Sequence, residues 1–228
     1  MNARLTGEAD FAGRARGLFL HEWENYDKNH LIICLKGDEI MFDVDRFTAD
    51  CKEAMASGGG QCAIRELMRE AVAEPCQVIS ALGEPRKAGI ELLYRSEGLT
   101  IVNLVWGPHM TAMPHNHHMW AVIGMYGGRE DNIFWRTLPD DARWPIEAAG
   151  VSALMPGDVC PLGKDIIHSV TNPLCKLTSA IHVYGGDFVT QQREQWEEET
   201  LRMRPYDQAE ARRRFEEANH LMSLTAPA

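Results

Sequence analysis

Pro114-His115-Asn116-His117-His118-Met119-Trp120 runs directly into Ala121-Val122-Ile123-Gly124-Met125-Tyr126 and then Gly127-Gly128. His115 and His117 are two residues apart. On a strand alternate side chains share a face, so both imidazoles are expected to point the same way and His118 the other way. The apolar run after the pair reads as a strand, and the glycine pair as the turn that ends it. Further along, Pro156-Gly157-Asp158 marks a second turn ahead of His168-Ser169-Val170-Thr171-Asn172. A histidine on a distant strand completes three nitrogens on one face of a metal ion and leaves the opposite positions open. Four histidines lie between residues 109 and 118, a density that also suits a solvated loop. The strand-turn context on both sides favours the metal reading, with His115, His117 and His168 as ligands.

Composition narrows the rest. The 228 residues suit one domain with helical additions. The net charge of −10 argues against nucleic acid or an anionic membrane as partner. It leaves room for a small anionic substrate, which needs only one local arginine. No apolar run approaches the length of a membrane span, and Met1 to Asp10 lacks the apolar core of a signal peptide. The six cysteines, at 34, 51, 62, 76, 160 and 175, form no C-x-x-C pair. They read as reduced, mostly buried thiols of a cytoplasmic protein.

Helical spacing covers 8–25 and 43–57, with Asp43 or Asp45 as a possible N-cap, and a third helix is expected over 61–73. Residues 74–89 read as a short helix plus loop. From Ile90 the pattern changes to short strands: Leu92–Tyr94, Leu99–Trp106, Met119–Tyr126, Asn132–Thr137, Val151–Met155 and Leu177–Tyr184. Arg193 to Leu224 is charged and helix-prone, broken at Pro205, and its alternating charge reads as a solvated face. Helices followed by short strands predict a mainly β protein: a small barrel at 90–190, an N-terminal helical segment packed on it at 1–89, and a C-terminal helical tail at 191–228.

The motifs resemble those of the cupins, whose double-stranded β-helix barrel carries a metal in its mouth. Gly107 … His115-Asn116-His117 … Gly128 follows the first cupin motif, and Pro156-Gly157-Asp158 … His168 … Asn172 the second. The glutamate usual after H-x-H is missing, since Trp120, Ala121 and Val122 occupy its slots, so three neutral histidines form the expected ligand set. That departure resembles the thiol dioxygenases, cysteine dioxygenase and 3-mercaptopropionate dioxygenase, over roughly residues 90–193. The likeness rests on Val105-Trp106-Gly107-Pro108, on Trp120 and Ile123-Gly124-Met125, and on Ser179-Ala180-Ile181-His182-Val183-Tyr184-Gly185.

In that family a Ser-x-His-x-Tyr triad lies beside the iron. His182 and Tyr184 match its last two members, Ala180 replaces the serine, and Asn116 stands where those enzymes usually carry Asp. The resemblance implies Fe(II), a small thiol and O2 as reactants, and a sulfinate product, with Tyr184 and His182 acting from beside the metal. Tyr184 also suits a core aromatic. For the substrate carboxylate the resemblance offers Arg193 or an early-strand residue, where Ile90 or Arg95 falls; Arg193 equally suits a helix surface. Asn172 is expected to brace the loop carrying His168, and Glu130 and Asp131 to lie at the barrel rim. Two other readings stand beside the dioxygenase: a metal-dependent lyase or isomerase using Zn, Mn or Ni, and a non-catalytic metal-binding sensor.

Overall fold

The computed structural model describes residues 41–139 and 144–225. The helix expected at 8–25 lies outside them. Among the described residues three helices come first: α1 (Val44–Ala56), α2 (Gly60–Val72) and α3 (Pro75–Leu82). Asp43 caps α1, its carboxylate accepting from the Arg46 N–H at 2.6 Å. Pro75 opens α3, where a missing N–H costs nothing.

Eleven strands follow: β1 (Gly89–Arg95), β2 (Thr100–Trp106), β3 (Thr111–His115), β4 (Ala121–Gly127), β5 (Glu130–Thr137), β6 (Ile146–Leu154), β7 (Val159–Leu162), β8 (Ile167–Thr171), β9 (Thr178–Tyr184), β10 (Glu194–Trp196) and β11 (Met203–Pro205). The chain then forms α4 (Gln208–Thr225). One antiparallel sheet runs β1-β2-β9-β4-β7, the other β11-β10-β3-β8-β5-β6. The described residues are mainly β, two antiparallel sheets with helices before and after them, an arrangement that fits the expected cupin barrel. No helix among the described residues is long and apolar enough to cross a membrane.

β2, β4 and β9 are buried almost throughout, because each face of this sheet has a partner. Val102, Ala121, Ile123, Met125, Ala180 and Tyr184 face the barrel interior. Ile101, Val122, Tyr126, Ile181 and Val183 face the other way and pack with Phe47, Ile64, Met68 and Val72 of the helices. Gly124 sits at the closest approach: a Cβ there would lie 2.3 Å from the Met68 sulfur. Two-sided burial explains why these segments read as continuous apolar runs rather than alternating ones.

The strands β7, β10 and β11 lie outside the sequence-expected set, and β3 and β8 are expected only as the strands carrying His115 and His168, without bounds. All are three to five residues long and lack a decisive alternation. The segment from Arg193 is not wholly helical either: Gln195 pairs with His115, and β10 pairs with β11. Nor is α4 only a solvated face. Ala218 and Phe215 pack against Leu104, Trp106 and Val170, and Trp106 stacks on Phe215 with centroids 5.7 Å apart. The cysteines are less buried than expected. Cys51 is fully buried, Cys62 and Cys175 are exposed, and Cys76 and Cys160 lie between.

Candidate metal centre

Register brings the three histidines together. His115 ends β3 and pairs directly with His168 on β8. His117 lies past the end of β3, so a shared strand face accounts only for His115; the chain turns to bring His117 alongside. His118, with φ of 53°, points away and pairs with Glu194. Asn116 fixes this turn. Its N–H donates to the Glu194 carbonyl at 3.2 Å, its Oδ1 accepts from the Glu194 N–H at 2.9 Å, and its Nδ2 donates to the Glu194 carboxylate. An aspartate there could not make the last of these bonds.

The Nε2 atoms of His115 and His117 are 3.2 Å apart, and those of His117 and His168 3.4 Å. His115 Nδ1 lies 2.8 Å from the Met113 carbonyl, and His168 Nδ1 2.8 Å from Asn132 Oδ1. Both partners only accept, so both Nδ1 atoms carry the proton and both Nε2 atoms present lone pairs. Burial holds His115 down to about 4 and His117 and His168 well below their ordinary range, with mutual repulsion adding to the last two. The imidazoles are therefore neutral. At most one proton, on His117, is available to three facing nitrogens, an arrangement that suits a shared cation. Nitrogens about 2.1 Å from one ion at tetrahedral to octahedral angles stand about 3.0–3.4 Å apart, which matches. Among the described residues this is the only such cluster, and no carboxylate belongs to it.

The histidines line a cavity of about 70 Å³ with Val102, Leu104, Trp106 and Val170 on its apolar side. His182 and Tyr184 of β9 face it from the other sheet. His182 Nδ1 lies 3.1 Å from the Tyr184 hydroxyl. Its Nε2 is buried without a partner, and Ala180, two residues back on the same strand face, has no polar atom to offer. Burial lowers His182 to about 3 and pushes the Tyr184 hydroxyl well up, so both are neutral. Tyr184 packs edge-on to His117, centroids 5.2 Å apart, and stacks on Phe188.

Arg193 also lines the cavity. It is only 9% exposed, and its guanidinium lies between the Phe188 and Tyr206 rings, 4.0 Å from each centroid. Its Nε is buried with no partner, and no carboxylate among the described residues pairs with it. Arg95 is elsewhere. It is 38% exposed and forms two 2.8 Å bonds to Asp187; the early-strand residue in the lining is Ile90.

Asn172 ties down the turn after β8. Its Nδ2 donates to the Gly107 and Lys176 carbonyls at 2.8 Å each, and its Oδ1 accepts from the Leu174 N–H and the Thr178 hydroxyl. Asp131, half-exposed, pairs with Arg129. Glu130 does not lie at a rim. It is fully buried and accepts from Trp106 Nε1 at 2.8 Å and Asn132 Nδ2 at 2.9 Å. Sequence reasoning also missed Phe188, Tyr206, Gln195, Glu210 and Arg214, which line the cavity too.

Fold and site together are two antiparallel β-sheets around a three-histidine cluster that could hold a metal ion. No family model matches the chain. Among solved structures it is similar to an RmlC-like cupin family protein with a double-stranded β-helix fold from Methanocaldococcus jannaschii, at 10% identity and TM-score 0.38, covering 47% of this chain and 87% of that one. It is similar to oxalate decarboxylase from Bacillus subtilis at 19% identity and TM-score 0.32, covering 42% and 22%. Peruvianin-I, a cysteine peptidase from Thevetia peruviana latex, matches at 19% identity and TM-score 0.32. That match covers 39% of this chain and about half, 51%, of the peruvianin-I chain.

Proposed function

We propose that the protein is an iron-dependent thiol dioxygenase that converts a small mercapto-acid, such as 3-mercaptopropionate or cysteine, to its sulfinate with O2. The observation that carries this reading is one cavity holding two complementary sites: a neutral three-imidazole face and a buried, unpartnered guanidinium. The first suits a metal cation with open positions. The second suits a carboxylate, since a planar fork of N–H donors matches two oxygens. A small molecule bearing both a metal-seeking thiolate and a carboxylate satisfies both at once.

His115, His117 and His168 would hold Fe(II), which supplies a site where thiolate and O2 meet and exchange electrons. The net change is RS⁻ + O2 → RSO2⁻: two S–O bonds form, the O–O bond breaks, and sulfur is oxidised by four electrons. The thiol proton is lost on binding. With no carboxylate among these three residues, nothing in the set would offset the charge of a bound cation, which would favour an anionic thiolate. Arg193 fixes the other end of the substrate, held in place by its two aromatic neighbours. The Tyr184 hydroxyl, oriented by His182, offers a hydrogen bond at the reacting end. Val102, Leu104, Trp106 and Val170 keep bulk water out. On this reading the partners are the thiol and O2 in the cytoplasm.

The test is O2 uptake by iron-loaded protein against 3-mercaptopropionate, cysteine and cysteamine, with product made under ¹⁸O2. One O2 per thiol and two labelled oxygens in a sulfinate are expected. No thiol-dependent uptake by protein shown to contain iron sinks the reading. A metal-dependent lyase is the second reading, favoured by the unpartnered Nε2 of His182, a neutral nitrogen able to move a proton in the same cavity. It predicts turnover without O2.

A further inference from the structure

Glu130 is a buried carboxylate whose partners are two neutral N–H groups. Trp106 Nε1–H can only donate, so Glu130 Oε2 must accept from it. That leaves Oε1 facing the Asn132 amide. Asn132 in turn faces His168 Nδ1 with its other end. A carboxylate differs from an amide here because it accepts at both oxygens simultaneously. Holding both donors turns the Asn132 amide so that Nδ2 meets Glu130 and Oδ1 meets His168. An Oδ1 at His168 Nδ1 demands a proton on Nδ1, and in a neutral ring that empties Nε2.

We propose that Glu130 is the positioning residue that sets the His168 tautomer, acting through Asn132 to direct the His168 Nε2 lone pair at His115 and His117. The chain of bonds runs Trp106, Glu130, Asn132, His168, and every donor in it finds an acceptor. A side chain kept only for packing would not need to be a carboxylate, and burying one with only neutral partners is costly. His115 needs no such relay, because a backbone carbonyl cannot flip. Asn132 can present either end, so His168 alone depends on a third residue to choose for it. This inference rests on the three-histidine centre and not on thiol oxidation.

Glu130→Gln offers one acceptor where two are needed. With its oxygen on Trp106, its amide faces Asn132, which must turn its oxygen toward it and its NH2 toward His168. That placement requires a lone pair on His168 Nδ1 and moves the ring proton to Nε2. Adding Asn132→Asp repairs the chain: the new carboxylate accepts from the amide at 130 and from His168 Nδ1–H. Two measurements on the full chain read this out. One is the ¹⁵N shift of each His168 ring nitrogen in metal-free protein; the other is the dissociation constant for Co(II) alone.

Wild type is expected to show the proton on Nδ1. In E130Q the pattern inverts and the Co(II) dissociation constant rises about 10- to 100-fold, the range for a partner behind a ligand. E130Q/N132D returns both to within a few-fold of wild type. A wild-type proton on Nε2 overturns the proposal, as does an E130Q variant with unchanged tautomer and affinity. So does a double variant no better than E130Q, whether or not either folds. Neither readout needs turnover, so a protein that oxidises no thiol leaves this test intact.

Discussion

The cavity has two walls in opposite states of completion. On the histidine wall two of the three rings are braced from behind: His115 by a backbone carbonyl, and His168 by Asn132, which Glu130 holds in turn. The Nε2 atoms face one another. On the arginine wall the guanidinium has aromatic faces on both sides and Nε with no acceptor. Braced rings with free lone pairs facing one another suit a permanently held cation. A buried cation without a counter-ion suits a transient anion, since desolvating a charge is tolerated only where a partner arrives. On the proposed reading, the difference separates what the protein would keep from what it would turn over.

The sharpest way to break this comparison is to remove a ligand. His117→Ala or His168→Ala should weaken metal binding by more than the roughly 10- to 100-fold typical of an outer partner. His118→Ala should leave it intact, because His118 turns away to Glu194. Metal content by elemental analysis decides; retention in H117A with loss in H118A would reverse the assignment.

Arg193→Met tests the other wall. It keeps an apolar stem between Phe188 and Tyr206 while deleting the charge. Metal content should not change. The Michaelis constant for a mercapto-acid should rise about 10- to 100-fold, the equivalent of about 1.5–3 kcal/mol for one charge-assisted contact. Cysteamine, which lacks a carboxylate, should be nearly unaffected. Equal losses for both thiols would mean that Arg193 only supports the fold.

The two walls were unequally legible in the sequence. His115, His117 and His168 stood out because a metal site would need rare residue types in tight spacing beside β-prone runs. Even there the local geometry was partly misread, since His117 lies beyond the strand and is brought in by the bonds between Asn116 and Glu194. The arginine wall comes from the chain after Gly185, where Phe188, Arg193 and Tyr206 have no periodic relation and β10 is three residues long. Nothing local distinguishes Arg193 from the arginines of α4. Its burial is created by long-range packing. Arg95 looked equally eligible and is consumed by Asp187. Glu130 follows a Gly-Gly turn, and such positions are usually exposed. Its burial depends on Trp106, a residue 24 positions away.

Tyr184→Phe sharpens the comparison at the seam between the walls. The ring still packs against His117 and Phe188, so metal content and stability should hold. Loss of the hydroxyl should reduce turnover about tenfold, the lower end for an outer partner, with little change in the Michaelis constant. Unchanged kinetics would make Tyr184 a packing residue and His182 Nδ1 a second idle nitrogen.

The smallest expected effect is electrostatic and links the walls. Burial holds His115 and His182 down to about 4 and about 3, and His117 and His168 lower than their ordinary value too. In the unfolded chain all four titrate near 6.5. Between that value and the folded one the unfolded chain binds more protons, so stability is fully present above about 6.5 and is lost as pH falls from there toward about 4. Metal-stripped protein should therefore show a falling urea midpoint over that window. Arg193 contributes to the lowering of His115 and His117, but behind burial in both. In Arg193→Met their folded values should move up toward 6.5, leaving fewer excess protons to bind on unfolding and a slightly shallower acid limb. The shift should stay under about one pH unit, because desolvation is the larger cause. Disappearance of the acid limb in this variant would mean that the two walls act as one charged unit. Its absence in the wild type would mean that the imidazoles are not held neutral by burial at all.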